Sequence, residues 1–107
     1  SFTTSTKFRE ANPKSYAAAV AALEEALDWI NADKRRAAKL FIALTNERRM
    51  SEDEVTALLS AADVEYGKIP RKAGVIAQHM FKVGTLKNKP ESWRDLYFPE
   101  VHALPGD

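Results

Sequence analysis

The feature that most constrains this chain is a run of apolar side chains at helical spacing near its start. Asn12 followed by Pro13 is a typical helix start, because asparagine accepts hydrogen bonds from the free N–H groups of a first turn and proline at the first helical position loses no needed donor. From there to about Ile30, large side chains recur at steps of three and four residues, which aligns them on one face of a helix. The sequence therefore predicts one long amphipathic helix. Its apolar stripe consists of Tyr16, Val20, Leu23, Leu27 and Ile30.

Local capping signals predict a short turn before this helix and two more helices after it. Ser5 is placed to cap a turn over residues 6–10, and Asp33 to cap a second helix. Ser51 and Glu54 have the spacing of a capping box, in which each side chain accepts a hydrogen bond from the backbone N–H of the other residue. This box predicts a third helix to about Ala61. The apolar set of the second helix is Ala37, Leu40, Phe41 and Leu44, and on the third helix we expect Val55, Leu58 and Leu59 to face inward.

The segment after the third helix predicts a connector followed by a fourth helix. Residues 63–69 alternate apolar and polar types, which is typical of an extended connector or one short strand. Pro70 is expected to open the helix, and Gly84 to close it in the left-handed conformation that glycine adopts easily. The apolar set of this helix is Ala73, Ile76, Ala77, Met80 and Val83.

Residues 83–105 crowd large apolar side chains into a stretch without regular periodicity. A chain terminus is usually frayed and polar unless it is tied down, so we expect a strap, with a turn that begins at Pro90 and several apolar anchors. The whole pattern predicts a mainly α fold of four to five helices after a short extended N-terminal segment, in a single domain over residues 1–107. The expected anchors are Leu86, Trp93, Leu96, Tyr97 and Phe98.

Composition argues against several classes of function. Sixteen basic and fifteen acidic side chains leave a net charge of +1, so no strong overall field would draw nucleic acid or anionic lipid. The chain contains no cysteine, which removes disulfides and cysteine-based metal sites. No apolar run is long enough to span a bilayer, and the first residues lack the pattern of a secretory signal. We therefore expect no nucleic-acid partner.

Few residues stand in a pattern that would carry chemistry. His79 and His102 lack a second histidine or a carboxylate at the i, i+4 spacing of a helical metal pair, which favours structural roles. The glycines are isolated, and no serine lies in a nucleophile motif. We therefore expect no catalytic residue, no metal and no cofactor. A cluster of basic residues near the second helix leaves a nucleic-acid contact open as an alternative: Lys34, Arg35, Arg36, Lys39, Arg48 and Arg49.

Two stretches together resemble a known family. The first is STKFREANPKSY at residues 5–16, followed by an alanine-rich helix that ends in WINAD, and the second is the terminal VGTLKNKPESWRDLYFPEVHALPG. They resemble the C-terminal region of periplasmic solute-binding proteins of ABC importers, in the nitrate, sulfonate and taurine group that includes thiamine-precursor-binding relatives. The resemblance runs from Thr3 to Gly106 and rests on ordered landmarks.

The resemblance implies a fold, a location and partners. The family fold is a two-lobed α/β periplasmic binding protein (type II), of which this chain would form a helical C-terminal piece, with residues 1–5 as the tail of a sheet strand. Its members are non-catalytic, bind a small solute between the lobes and deliver it to a membrane permease. The resemblance places most pocket residues upstream, so that Thr4 and Ser5 are the nearest candidates for ligand binding.

Two other classes of function stay open at this stage. One is a free-standing helical module that binds a protein or a nucleic acid through the C-terminal strap or the basic second helix. The other is an enzyme of thiamine-precursor biosynthesis with the same fold, which the missing catalytic cluster disfavours. If the helices normally lie on a sheet, the isolated chain exposes an apolar face, and we expect it to self-associate.

Overall fold

The computed structural model describes residues 2–107, and every regular element in that range is helical. The mainly α prediction is confirmed. The chain divides into two compact units, one through Gly67 and the other from Lys68 to Asp107. The first unit contains α1 (Thr6–Ala11), α2 (Pro13–Ala32), α3 (Lys34–Thr45) and α4 (Glu52–Leu59). The second contains α5 (Ala73–Lys82) and two 3-10 turns, Trp93–Leu96 and Pro99–Val101.

The junction between α1 and α2 differs from the expected cap. The Ser5 hydroxyl accepts a hydrogen bond from the N–H of Phe8 at 3.1 Å, as predicted for the start of α1. Asn12 was expected to cap α2, but its side chain makes no such bond and instead donates to the carbonyl of Phe8 at 3.2 Å. Only one residue, Asn12, separates the two helices. The free carbonyl groups at the end of α1 therefore compete with the free N–H groups at the start of α2 for the Asn12 side chain. Pro13 still opens α2 as expected.

The predicted stripe of α2 lies on one partly covered face. All five of its side chains are half-buried, and α2 contacts both α1 and α3. No residue of α2 is fully buried. The helix continues to Ala32, two residues beyond the predicted end.

The closest packing of the first unit joins α3 to α4. Asp33 caps α3 as predicted, with its Oδ1 accepting from the N–H of Arg36 at 3.0 Å. The buried side chains here are Ala37, Ala38 and Val55. Small residues at this contact let the backbones of α3 and α4 approach closely, so the buried core between these two helices contains little side-chain volume.

Several side chains of the predicted apolar sets of α3 and α4 are exposed. Leu44 is 76% exposed and Leu58 is 57% exposed, while Leu40 and Phe41 are each nearly half exposed. The inward prediction was therefore wrong for Leu58, although Val55 is buried and Leu59 half-buried on the same helix. The contact between α3 and α4 covers only part of the apolar faces of these two helices, because its buried residues are the small side chains Ala37, Ala38 and Val55.

The capping box of α4 is formed as predicted. The N–H of Glu54 donates to the Ser51 hydroxyl at 3.2 Å, and the N–H of Ser51 donates to Oε2 of Glu54 at 2.7 Å. The acidic residues of the first turn, Glu52, Asp53 and Glu54, also suit the positive end of the helix dipole. The helix ends at Leu59, two residues before the predicted boundary.

Residues 63–69 form an irregular connector, and the short strand that was the alternative is not formed. Pro70 was expected to open α5, but the helix begins at Ala73. Lys72 precedes it at φ 57°, a left-handed conformation that interrupts any helical run from Pro70. The predicted end is confirmed, since Gly84 lies at φ 81° and the N–H of Thr85 donates to the carbonyl of Met80 at 2.8 Å.

The C-terminal strap is anchored by one indole ring. Trp93 is buried, with the edges of the Tyr97 and His102 rings at centroid distances of 6.0 and 6.3 Å. Of the other expected anchors, Leu86 and Phe98 are half-buried, whereas Leu96 and Tyr97 are exposed, which corrects the prediction for those two. Gly106 lies so close to the indole that an added Cβ would be 3.0 Å from its Cζ2 and Cη2 atoms.

The last residue completes the start of α5, a feature that we term the Asp107 clamp. Lys72 makes no side-chain cap of its own. Instead, Oδ1 of Asp107 accepts from the N–H of Lys72 at 2.7 Å, and the main-chain oxygen of Asp107 accepts from the N–H of Ala73 at 2.8 Å. The N–H of Asp107 donates to the carbonyl of Pro70 at 3.2 Å. The strap thus satisfies the N–H groups that a helix start leaves free.

Candidate functional site

The two residues named as ligand-binding candidates lie in the exposed segment before α1. Thr4 and Ser5 are both exposed. The Ser5 hydroxyl already accepts the capping hydrogen bond from the N–H of Phe8, which leaves its proton and one lone pair for any further contact. Their assignment as pocket residues stays a prediction.

Three of the six basic residues near α3 are engaged with neighbours in the same unit. The Arg35 guanidinium contacts Oε1 of Glu52 and Oδ1 of Asp53, each at 2.8 Å. These hydrogen bonds, with that to Asp53 the stronger, raise the pKa of Arg35 above its usual value. Arg36 lies over the Trp29 ring at 4.2 Å from its centroid, and Lys34 lies over the Tyr66 ring at 4.7 Å. A nucleic-acid contact through these three cations would have to break such pairs.

The histidines do not form a metal site. Nε2 of His102 lies 3.0 Å from the carbonyl oxygen of Arg94 and 2.8 Å from that of Tyr97. Because carbonyl oxygens only accept, this nitrogen carries a proton and donates. His102 therefore has the structural role that the sequence favours, holding the turn between the two 3-10 segments. No group of three or more potential ligands is gathered anywhere in residues 2–107.

One face of α5 is apolar and uncovered. Ile76 and Val83, which belong to the predicted apolar set of this helix, are 57% and 59% exposed, and Val75 is 68% exposed. His79 is exposed between them on the same side of the helix. The opposite side carries Ala77, which is buried, and contacts the Trp93 turn. We call the uncovered set Val75, Ile76, His79 and Val83 the outer face of α5.

A shallow, open depression adjoins the outer face. Val75 and His79 belong to both, and the amide of Gln78 offers hydrogen bonds inside the depression. Lys82 and Lys89 place two ammonium groups in its lining. None of the described residues that line it is acidic. The site therefore combines apolar side chains, one amide and excess positive charge, which suits recognition of a surface better than chemistry.

Comparison with known proteins identifies no relative: no protein-family model, curated protein or solved structure matches the chain. Within residues 2–107, no helix has both the length and the apolar character needed to cross a membrane.

Two features of the second unit escape sequence reasoning. Lys89 is seven residues beyond α5, and only the turn after Gly84 brings it back to the depression beside Lys82. The Asp107 clamp joins residues 35 apart in the chain. The sequence contains one indication of this clamp. No Ser, Thr, Asp or Asn stands just before Ala73, so the start of α5 needs a cap from a distant residue.

Proposed function

We propose that this chain is the C-terminal part of the extracytoplasmic solute-binding component of an ABC importer, of the nitrate, sulfonate, taurine or thiamine-precursor class. In this proposal the chain is non-catalytic and forms a helical layer of a two-lobed α/β binding protein (type II) in the periplasm. The observation that carries it is the set of apolar side chains left uncovered on α3 and α4, at Leu40, Phe41, Leu44 and Leu58. Helices that pack on a sheet need such a face.

The proposal assigns the solute pocket mainly to residues upstream of Ser1, with Thr4 and Ser5 at its edge. The membrane permease would be the partner of the whole protein. The family resemblance over residues 3–106 supports this assignment.

The test begins with the reading frame that encodes the chain. The proposal requires a signal peptide and two lobes upstream, so a start codon directly before Ser1 would contradict it. The complete product should then bind nitrate, taurine, an alkanesulfonate or a thiamine-precursor pyrimidine in calorimetry. At a ligand concentration about 100 times Kd, the free energy of unfolding should rise by about 2.7 kcal/mol. Thr4→Val should weaken binding if Thr4 lines the pocket, and Thr3→Val is the matched control.

The same uncovered face predicts that the isolated chain self-associates. Sedimentation at increasing concentration should show dimers or larger species. Leu44→Glu should shift the distribution towards monomer, because it places a charge in the exposed apolar set, whereas Lys14→Glu on α2 should leave it unchanged. A monomer at all concentrations would refute self-association without bearing on the reading frame.

The alternative is a free-standing helical module that binds a protein or nucleic acid. The engaged state of Arg35 disfavours the nucleic-acid version. Salt-dependent binding of the chain to DNA or RNA at low ionic strength would favour that version, since each phosphate neutralised adds to the salt slope. The outer face of α5 favours the protein version.

A further inference from the structure

The starting observation is that α5 is apolar on two opposite sides. One side packs on the Trp93 turn around Ala77, and the other is the outer face. An apolar helix face is ordinarily covered by another element or by a partner. Val75, His79 and Val83 follow one another at steps of four, and Ile76 and Val83 are seven residues apart, so these four exposed side chains share one face of the helix.

The second observation is the sign of the charge around this patch. Lys82 and Lys89 line the adjoining depression, and Lys72 directly precedes the first residue of α5. Residues 68–107 contain seven basic and four acidic side chains, an excess of three positive charges. Among the acidic ones, Asp95 accepts from the N–H groups of Glu91 and Ser92, and Asp107 caps α5. The rim of the patch is thus cationic.

The charge decides among possible occupants. A second copy that presented the same face would bring Lys72, Lys82 and Lys89 against their own kind, and like charges placed together cost affinity. A partner that presents apolar side chains flanked by carboxylates would gain both the apolar contact and the attraction to the lysines. The Gln78 amide in the depression offers a hydrogen-bonding group beside this contact.

We propose that the outer face of α5 and its adjoining depression dock an acidic amphipathic helix of a partner protein. Apolar side chains of the partner at i, i+3 and i+4 cover Val75, Ile76 and Val83, and its flanking Glu or Asp side chains meet Lys82 and Lys89. This is helix-to-face recognition, with affinity from the apolar contact and orientation from the charges. The inference does not depend on the transport proposal, because it concerns only the second unit.

The experiment measures binding of a labelled 18-residue helical peptide to the full chain by fluorescence anisotropy. The probe has Leu at i, i+3, i+4 and i+7 and Glu on the flanking positions, and a matched peptide has Lys in place of Glu. The Glu peptide should bind, with affinity falling as salt is raised, and the Lys peptide should bind at least about tenfold more weakly. Vesicles of phosphatidylglycerol serve as the competing anionic surface.

Variants separate the two contributions. The double charge reversal Lys82→Glu with Lys89→Glu should weaken the Glu peptide at least about fivefold and improve the Lys peptide, while Lys39→Glu on α3 should change neither. Ile76→Ser should weaken both peptides, and circular dichroism should show an unchanged helix content, because Ile76 is exposed. The proposal is overturned if the Glu peptide fails to bind, if charge reversal has no effect, or if the chain binds the vesicles but not the peptide.

Discussion

Gly106 is the position at which the smallest change should have a large and specific effect. A Cβ added there would be 3.0 Å from two ring carbons of Trp93 and 3.1 Å from the carbonyl oxygen of Pro70. Neither neighbour can yield easily, because the indole and Pro70 are both buried. Overpacking of this kind costs about 1–3 kcal/mol. For a chain of this size, each kcal/mol lowers Tm by about 4–8 °C. Gly106→Ala should therefore destabilise the second unit measurably.

The assay follows Trp93 fluorescence during urea unfolding, in a Trp29→Phe background so that one indole reports. The matched control is Gly67→Ala, where the added Cβ would meet only the side chain of Glu65, at 3.4 Å or more. The control should be neutral or slightly stabilising, because alanine restricts the unfolded chain. If Gly106→Ala unfolds at the same urea concentration as the control, the strap accommodates the added methyl group and the predicted overpacking against Trp93 and Pro70 is refuted.

Three further predictions concern helix ends. Asp107→Ala removes the acceptor for the N–H of Lys72 and should cost about 0.5–2 kcal/mol in urea unfolding, whereas Asp107→Asn should retain part of that cap. Gly84→Ala should lower the free energy of unfolding by about 1 kcal/mol through its positive φ alone, because nothing lies within 4 Å of the added Cβ. An unchanged free energy of unfolding would show that the left-handed backbone at this position carries no strain for alanine. The hydrogen bonds from the backbone and hydroxyl of Ser51 lower the pKa of Glu54 below its usual 4.5. The stability that Glu54 contributes should thus be full above pH 4.5 and be lost as pH falls through the lower folded-state pKa. Glu54→Gln should flatten this part of a pH–stability curve, and identical acid profiles for the two proteins would refute the link.

Sequence reasoning was most successful where a signal and its effect lie within a few residues. The capping box of Ser51 and Glu54, the Asp33 cap and the glycine end of α5 are all formed. Such caps depend on backbone groups three or four positions away, so their geometry follows from spacing. The half-buried stripe of α2 belongs to the same class, because helical period alone aligns it.

The errors arose where the partner of a residue is distant or absent. Periodicity identified Leu44 and Ile76 as apolar-face residues but could not say whether another element covers that face. The start of α5 moved from Pro70 to Ala73, since Lys72 adopts a left-handed conformation and its N–H is bound by Asp107. The Asn12 side chain bonds to α1 instead of capping α2, because the last carbonyl groups of α1 also lack partners within their helix.

The sequence by itself determined that this chain is helical, where most helices begin and end, and that its composition favours neither a nucleic-acid partner nor cysteine chemistry. These properties are set by hydrogen bonds and rotamer preferences within one or two turns. Only the tertiary structure decided which apolar side chains are covered, how the strap closes on Trp93, and that Lys89 joins Lys82 beside the outer face of α5. Those features depend on contacts between residues far apart in the chain, whose closure entropy and packing no local pattern encodes.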